Sequence, residues 1–203
     1  MTRLIALLFC LLLPAVAASA NSQLPALFNV TGVAQNDVLN VRAGPGASHN
    51  KVGALAHDAK NVEIVSLSEN GSWGLTNISE GSGWVSMLYL AAVPADGYAL
   101  TRAISCFGTE PFWNLNVIQG QSAVFDSFDG SQDLWAGLVQ STTGRSDRFW
   151  LRGSGEGSDF TAVIRKTSCN DGMSDRAFGL DIDLQVEGGG DVVYLSGCCS
   201  LQH

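Results

Sequence analysis

Apolar and polar positions alternate along most of this chain in short runs, with a period near two rather than 3.6. In the first half, residues 62–67 alternate as a half-buried strand does, and 38–41 is a short apolar-rich segment. Further strands begin at Trp73-Gly74-Leu75 and at Trp84-Val85. Turn residues separate these runs: Arg42-Ala43-Gly44-Pro45-Gly46, then Asn70-Gly71, then Gly81-Ser82-Gly83. In the second half, strands are expected over 115–118, 123–128, 135–139, 148–151, 160–164, 180–186 and 192–195. Gly120, Asp129-Gly130, Gly144, Gly153-Ser154-Gly155, Asp171-Gly172 and Gly188-Gly189-Gly190 lie between them. No segment sustains a helical period with caps. The pattern predicts an all-β chain of two domains, 21–95 and 96–203, with a short joint at 91–96. The first is expected to be a small barrel, the second an antiparallel β-barrel or sandwich with up-and-down connections.

The N-terminus adds a compartment. Arg3 gives a positive start, 4–13 is an apolar run, Pro14 breaks it, and Ala18-Ser19-Ala20 offers a signal-peptidase site. The run is shorter than the ~20 residues that span a bilayer. Phe9 before Cys10, with apolar residues after it, does not fit a lipobox. Residues 1–20 therefore read as a signal peptide cleaved after about Ala20, leaving a periplasmic or secreted protein without a membrane span in the mature chain.

Of the 203 residues, 46% are hydrophobic, enough for a globular core. Lys+Arg 11 against Asp+Glu 19 gives a net charge of −8, more negative still once Arg3 leaves. Such a surface repels nucleic acid and anionic wall polymers, whose binding rests on neutralising phosphate or carboxylate with Lys and Arg. Export leaves Cys106, Cys169, Cys198 and Cys199, an even number that reads as two structural disulfides. A bridge between neighbours Cys198 and Cys199 would strain the peptide between them. On a strand they face opposite ways, so each reaches one of Cys106 and Cys169. There is no C-x-x-C, and the only His in that half is His203, so neither a metal site nor another cofactor is expected.

Two resemblances follow from the residues. Asp37-x-Leu39-Asn40-Val41-Arg42-x-Gly44-Pro45-Gly46, then Gly53, Trp73, Gly83-Trp84-Val85 and Tyr89-Leu90, resemble a bacterial SH3 (SH3b) domain over about a third of the chain. The resemblance implies a small SH3-like barrel of five or six strands that binds cell-wall peptides or envelope proteins without catalysis. Trp73 and Trp84 are its candidate ligand contacts; the competing reading packs them into the small core. Arg42 is expected to tie its turn to a neighbouring carbonyl. In the second half, Cys106-Phe107-Gly108-Thr109-Glu110-Pro111-Phe112-Trp113, Cys169-Asn170-Asp171-Gly172-Met173-Ser174-Asp175-Arg176 and Gly197-Cys198-Cys199 resemble an uncharacterised family of bacterial envelope proteins and lipoproteins. That resemblance implies an envelope location and no particular activity.

Each of those three elements carries a cysteine, so disulfides should gather them at one end of the fold. Glu110, Trp113, Asp171, Ser174, Asp175 and Arg176 then form either a ligand-binding rim or a tied-off structural plug. Glu110 is expected to be held extended by Pro111, Phe112 and Trp113 to face opposite ways, and Asp175 to pair with Arg176. Catalysis finds little support. His49 and His57 lie in the other half, far in sequence from any nucleophile here, and His203 ends the chain. Glu110 with Asp171 or Asp175 offers a carboxylate pair for acid/base work on glycans. Asp126-x-x-Asp129-Gly130-x-x-Asp133 lacks EF-hand spacing and reads as an exposed acidic turn. The expected function is that of an exported, non-enzymatic binding or adaptor protein of the bacterial cell envelope. Its SH3-like half would bind peptidoglycan peptide or an envelope protein. The alternatives are a cell-wall-active hydrolase using carboxylates of the C-terminal half, and a periplasmic inhibitor or stress protein.

Overall fold

The computed structural model describes residues 24–202, and the expected signal segment 1–20 lies outside them. The described chain is all-β, with one 3-10 turn at Met87–Tyr89 and no α-helix. No helix among the described residues is long and apolar enough to cross a membrane.

The N-terminal unit contains β1 (Ala26–Val30), β2 (Val38–Arg42), β3 (Lys51–Ala56), β4 (Val62–Ile64), β5 (Ser66–Leu67), β6 (Trp73–Ile78), β7 (Gly81–Ser86) and β8 (Leu90–Ala92). They form two sheets, ordered β4-β1-β8 and β3-β2-β7-β6-β5. Val30, Leu39, Val41, Ile64 and Val85 make the buried core between them. The single strand expected over 62–67 is two strands, because the chain changes sheets there. β4 pairs with β1, and β5 pairs with β6. Val65 between them donates its N–H to the Leu75 carbonyl (2.9 Å). The expected role of Arg42 holds: Nη1 donates to the His49 carbonyl at 2.8 Å.

The second half is a barrel, not a sandwich. Its strands are β9 (Ala103–Thr109), β10 (Phe112–Ile118), β11 (Ser122–Ser127), β12 (Gly130–Ala136), β13 (Gln140–Ser141), β14 (Arg148–Gly155), β15 (Ser158–Cys169), β16 (Phe178–Gly188) and β17 (Asp191–Gln202). Eight of them pair antiparallel, each with the next in sequence; β12 pairs with β14, and β17 returns to β9. The short β13 only edges β14. Closure removes the open edges that a sandwich would keep.

Alternation places Ile104, Leu115, Val117, Leu151, Phe160, Ile164, Ile182 and Leu184 inside, fully buried. An eight-stranded barrel is just wide enough for such side chains to fill it. One end is shut. There Leu100 and Val139 join the core, and buried Gln119 ties the two segments together: Oε1 accepts the Val139 N–H and Nε2 donates to the Thr101 carbonyl, both at 2.7 Å. Four hairpin turns surround the other end.

Two disulfides lock the closing strands. Cys106 lies directly opposite Cys199 across the β9–β17 seam, and the two bond within the barrel core. Cys198 faces the other way and bonds Cys169 at the end of β15, pinning the 170–177 loop. Of the two pairings open to the sequence, this is the one formed.

That loop also docks the N-terminal unit. The Asn77 side chain grips the Ala177 backbone twice, donating to its carbonyl and accepting its N–H, both at 2.9 Å. Asp175 N–H reaches the Glu80 carbonyl (3.1 Å), and Leu201 N–H reaches Glu63 Oε1 (3.1 Å). Leu27 of β1 adds its side chain to the barrel core.

Candidate functional site

Two concave surfaces stand out, one on each unit. The larger is the open mouth of the barrel, a cavity of about 650 Å³. Its position follows from the connections. Glu110-Pro111, Phe128-Asp129, Glu156-Gly157 and Gly189-Gly190 are the turns of four hairpins, all at this end. Gly189 and Gly190 have φ of 62° and 93°, the left-handed pair that a two-residue turn needs between twisted strands. Trp113 and Phe125 reach the floor, their rings 6.4 Å apart, beside Leu134, Val186 and Leu195.

The rim is acidic. Asp129, Asp133, Glu156 and Asp191 line it, with no Lys, Arg or His among the lining residues. Phe112 and Phe128 stand at the lip, 66% and 98% exposed, too open for core residues of their size. Gln132 lines the wall, and its Oε1 is buried without a hydrogen-bond partner among the described residues.

The smaller concavity is a groove of about 600 Å³ on the N-terminal unit. Trp73 and Tyr89 wall it, Leu88 is 81% exposed at its edge, and Asp37 and Arg42 bring one charge of each sign. Trp73 is half-buried there. Trp84, on β7 opposite Leu75 and Arg42, is half-buried outside the groove. The two tryptophans thus do different work, and only Trp73 faces the concave side.

The expected six-residue rim of the second half does not form as one surface. Its elements are drawn together, since Thr109 Oγ1 donates to the Asp171 carbonyl at 2.8 Å. Trp113, however, points into the barrel, 2% exposed, whereas Phe112 points out, as the alternation predicts. Glu110 and Pro111 form the exposed turn between β9 and β10. Asp171 turns back on its own loop, accepting from Met173 N–H (3.0 Å), Ser174 N–H (2.9 Å) and Ser174 Oγ (2.7 Å). Burial pushes its carboxyl up, and these hydrogen bonds outweigh that, leaving it below the usual range.

Asp175 and Arg176 form no salt bridge. Asp175 docks through its backbone, and the Arg176 guanidinium lies 5.2 Å from the Phe178 ring centre. Asp171, Ser174, Asp175 and Arg176 therefore belong to the plug that fastens loop, barrel and N-terminal unit together. They do not line the mouth.

Glycine explains the rest of the motif. A Cβ on Gly108 would sit 2.1 Å from Trp113 Nε1, and one on Gly197 2.9 Å from the same indole and 2.0 Å from the Phe107 carbonyl oxygen. The indole lies against two strands that carry no side chain at the contact. Gly108, Trp113, Gly197 and the four cysteines are thereby accounted for by packing.

The mouth residues Phe112, Phe128, Gln132, Glu156 and Asp191 are not candidates on sequence grounds. They lie near or in separate turns, and only the barrel gathers them. A signal existed for two of the lining residues: Asp129, in the exposed turn before β12, and Asp133, on the exposed face of β12 opposite Val124, belong to the acidic segment weighed for Ca²⁺. No group of His, Cys, Asp and Glu among the described residues has the arrangement of a metal site. Comparison with known proteins places the chain nowhere: no family model, no curated protein and no solved structure matches it.

Proposed function

We propose that this chain is an exported, non-enzymatic binding protein of the bacterial cell envelope, whose N-terminal unit takes an extended segment of peptidoglycan peptide or of an envelope protein. The observation that carries the reading is the groove walled by Trp73 and Tyr89, with exposed Leu88 at its edge. An aromatic groove of this size gives a peptide apolar contact area at low entropic cost. Asp37 and Arg42 offer partners to amino and carboxylate groups alike. The resemblance to bacterial SH3 domains and the leader-like N-terminus support the envelope assignment. Two disulfides fit an oxidising compartment. A binding role is further supported by the tasks of the carboxylates: Asp171 caps its own loop, and Glu110 sits apart on an exposed turn.

Co-sedimentation of the chain without its leader with purified peptidoglycan sacculi, at low and moderate salt, tests this. Retention that falls severalfold on Trp73→Ala, with the fold intact by circular dichroism, is the expected result. If sacculi retain nothing, crosslinking in envelope extracts should capture a protein through the same groove, again lost in Trp73→Ala. Turnover of glycan or peptide that disappears in Glu110→Gln would replace the reading with a hydrolase.

A further inference from the structure

We propose that the mouth end of β17 is an open strand edge that takes up an extended segment of another protein as an added strand, at a site separate from the Trp73 groove. The closing ladder of the barrel pairs Ala103 with Gln202 at one end and Phe107 with Cys198 at the other. β17 continues beyond it towards the mouth, where residues 191–197 pair with β16 alone among the described residues. The register decides which backbone groups are left over. The two-residue turn Gly189-Gly190 makes Gly188 and Asp191 a hydrogen-bonded pair, and the direction of N–H and C=O then alternates along the strand. Val193 and Leu195 turn these groups to β16. Val192 and Tyr194 turn theirs to the side where no strand pairs among the described residues.

Side-chain burial gives independent support. Val193 and Val186 are cross-strand partners on the inward face, yet Val186 is 6% exposed and Val193 49%. What Val193 lacks is a neighbour on the β9 side. Val192-Val193-Tyr194 is a strongly β-forming run, and an exposed edge of this kind is a template for pairing. A segment laid along it gains main-chain hydrogen bonds to Val192 and Tyr194. Every second side chain of that segment then passes over Val193 into the mouth, which Pro111 and Phe112 border from the β9–β10 hairpin. Those side chains are therefore apolar. Charge decides whose segment it is. Asp129, Glu156 and Asp191 line the opening, on a chain whose net charge is −8. A second copy pairing edge to edge sets the same carboxylates against them, a like-charge juxtaposition that suppresses the pairing. The partner is a different chain, with Lys or Arg flanking its apolar positions.

The test uses the whole chain without its leader and the peptide acetyl-Lys-Val-Thr-Val-Thr-Val-Lys-amide. Its control is the same peptide N-methylated at every valine and threonine, which keeps the side chains and removes the pairing N–H groups. Amide hydrogen exchange by NMR reads the edge residue by residue. In the free chain Val192 and Tyr194 should exchange fast and Val193 and Leu195 slowly, an alternation that a covered edge does not show. The peptide should bind saturably and slow exchange at Val192 and Tyr194 at least about tenfold, and the N-methylated control should do neither. Val192→Pro removes one N–H from the free edge and none from the β16 ladder, a position where strands tolerate proline. It should abolish peptide binding with an unchanged circular dichroism spectrum, and the N-methylated control makes the same test without altering the protein. Glu in place of the flanking Lys should weaken binding severalfold. Absence of saturable binding at millimolar peptide overturns the proposal, as do equal binding of the control and protection at other strand edges instead of Val192 and Tyr194. A sedimenting dimer whose Val192 and Tyr194 amides are already slow gives the edge to a second copy and overturns it too. Trp73→Ala should leave peptide binding unchanged; its loss there would put the peptide in the groove and likewise overturn the proposal.

Discussion

Trp113 shows how single residues divide the labour in this protein. Its neighbour Phe112 is solvent-facing, while Trp113 is 2% exposed and lies flat against Gly108 and Gly197 on adjoining strands. The motif that spans these positions is thus a packing device whose by-product is the aromatic floor of a cavity. Gly108→Ala places a methyl group within 2.1 Å of Nε1, so the indole must move. We expect a loss of about 1–3 kcal/mol, the usual cost of overpacking a dense core. Thermal unfolding reads the loss, and near-ultraviolet circular dichroism should report the altered indole. An unchanged Tm would mean that the indole is not held as described. The outward–inward alternation of Phe112 and Trp113 was legible in the sequence. The need for Gly108 was not, because its reason is an indole reached only after a hairpin folds back.

At the scale of elements, the two disulfides make unequal constraints. Cys106–Cys199 closes 93 residues and joins the first barrel strand to the last; Cys169–Cys198 closes 29 and pins one loop. On chain entropy alone the longer loop is worth about 4.7 kcal/mol and the shorter about 3.6 kcal/mol. Paired Cys→Ala changes should therefore lower Tm more for Cys106 with Cys199 than for Cys169 with Cys198, the more so because the first bridge is buried in the core. The second pair should have a different signature: freed of its anchor, the loop becomes open to limited trypsin digestion after Arg176 before the barrel unfolds. Equal Tm losses and equal digestion would refute this division. Adjacent cysteines facing opposite ways follow from strand geometry. Which partner each finds depends on the 170–177 loop crossing the outside of the barrel, a path that local pattern does not encode.

The whole molecule is held across a seam where Glu63 of β4 accepts the Leu201 N–H of β17. Burial raises the Glu63 carboxyl from its ordinary 4.5 to about 7, against the opposing pull of that N–H and of Arg176. The native state therefore holds a proton that the unfolded chain releases near pH 4.5. The stability this group contributes is full below that pH and is lost as pH rises through about 7, with a slope of at most about 1.4 kcal/mol per pH unit. Glu63→Gln keeps an acceptor for Leu201 and removes the buried charge. It should raise Tm above pH 7, leave it nearly unchanged at pH 4, and flatten the profile between. A profile identical to that of the unaltered chain would assign the seam's pH response to another group.

Alternation and turn chemistry alone specify strands, their approximate limits and an all-β chain, because a strand that buries one face needs apolar residues at every second position. The barrel strands centred on Leu115, Phe125, Phe149, Ile164, Ile182 and Leu195 were visible in this way. Where a strand changes sheets within one apolar run, as at Val65, or where small and polar residues begin it, as at Gly130 in β12, the period carries no mark of the event. Closure into a barrel, the choice of disulfide partners, the docking of Asn77 on Ala177 and the gathering of four hairpin turns around one mouth were decided only in three dimensions. Each joins residues far apart in the chain, and the free energy that selects them comes from burial and hydrogen bonds between segments that carry no common local signal.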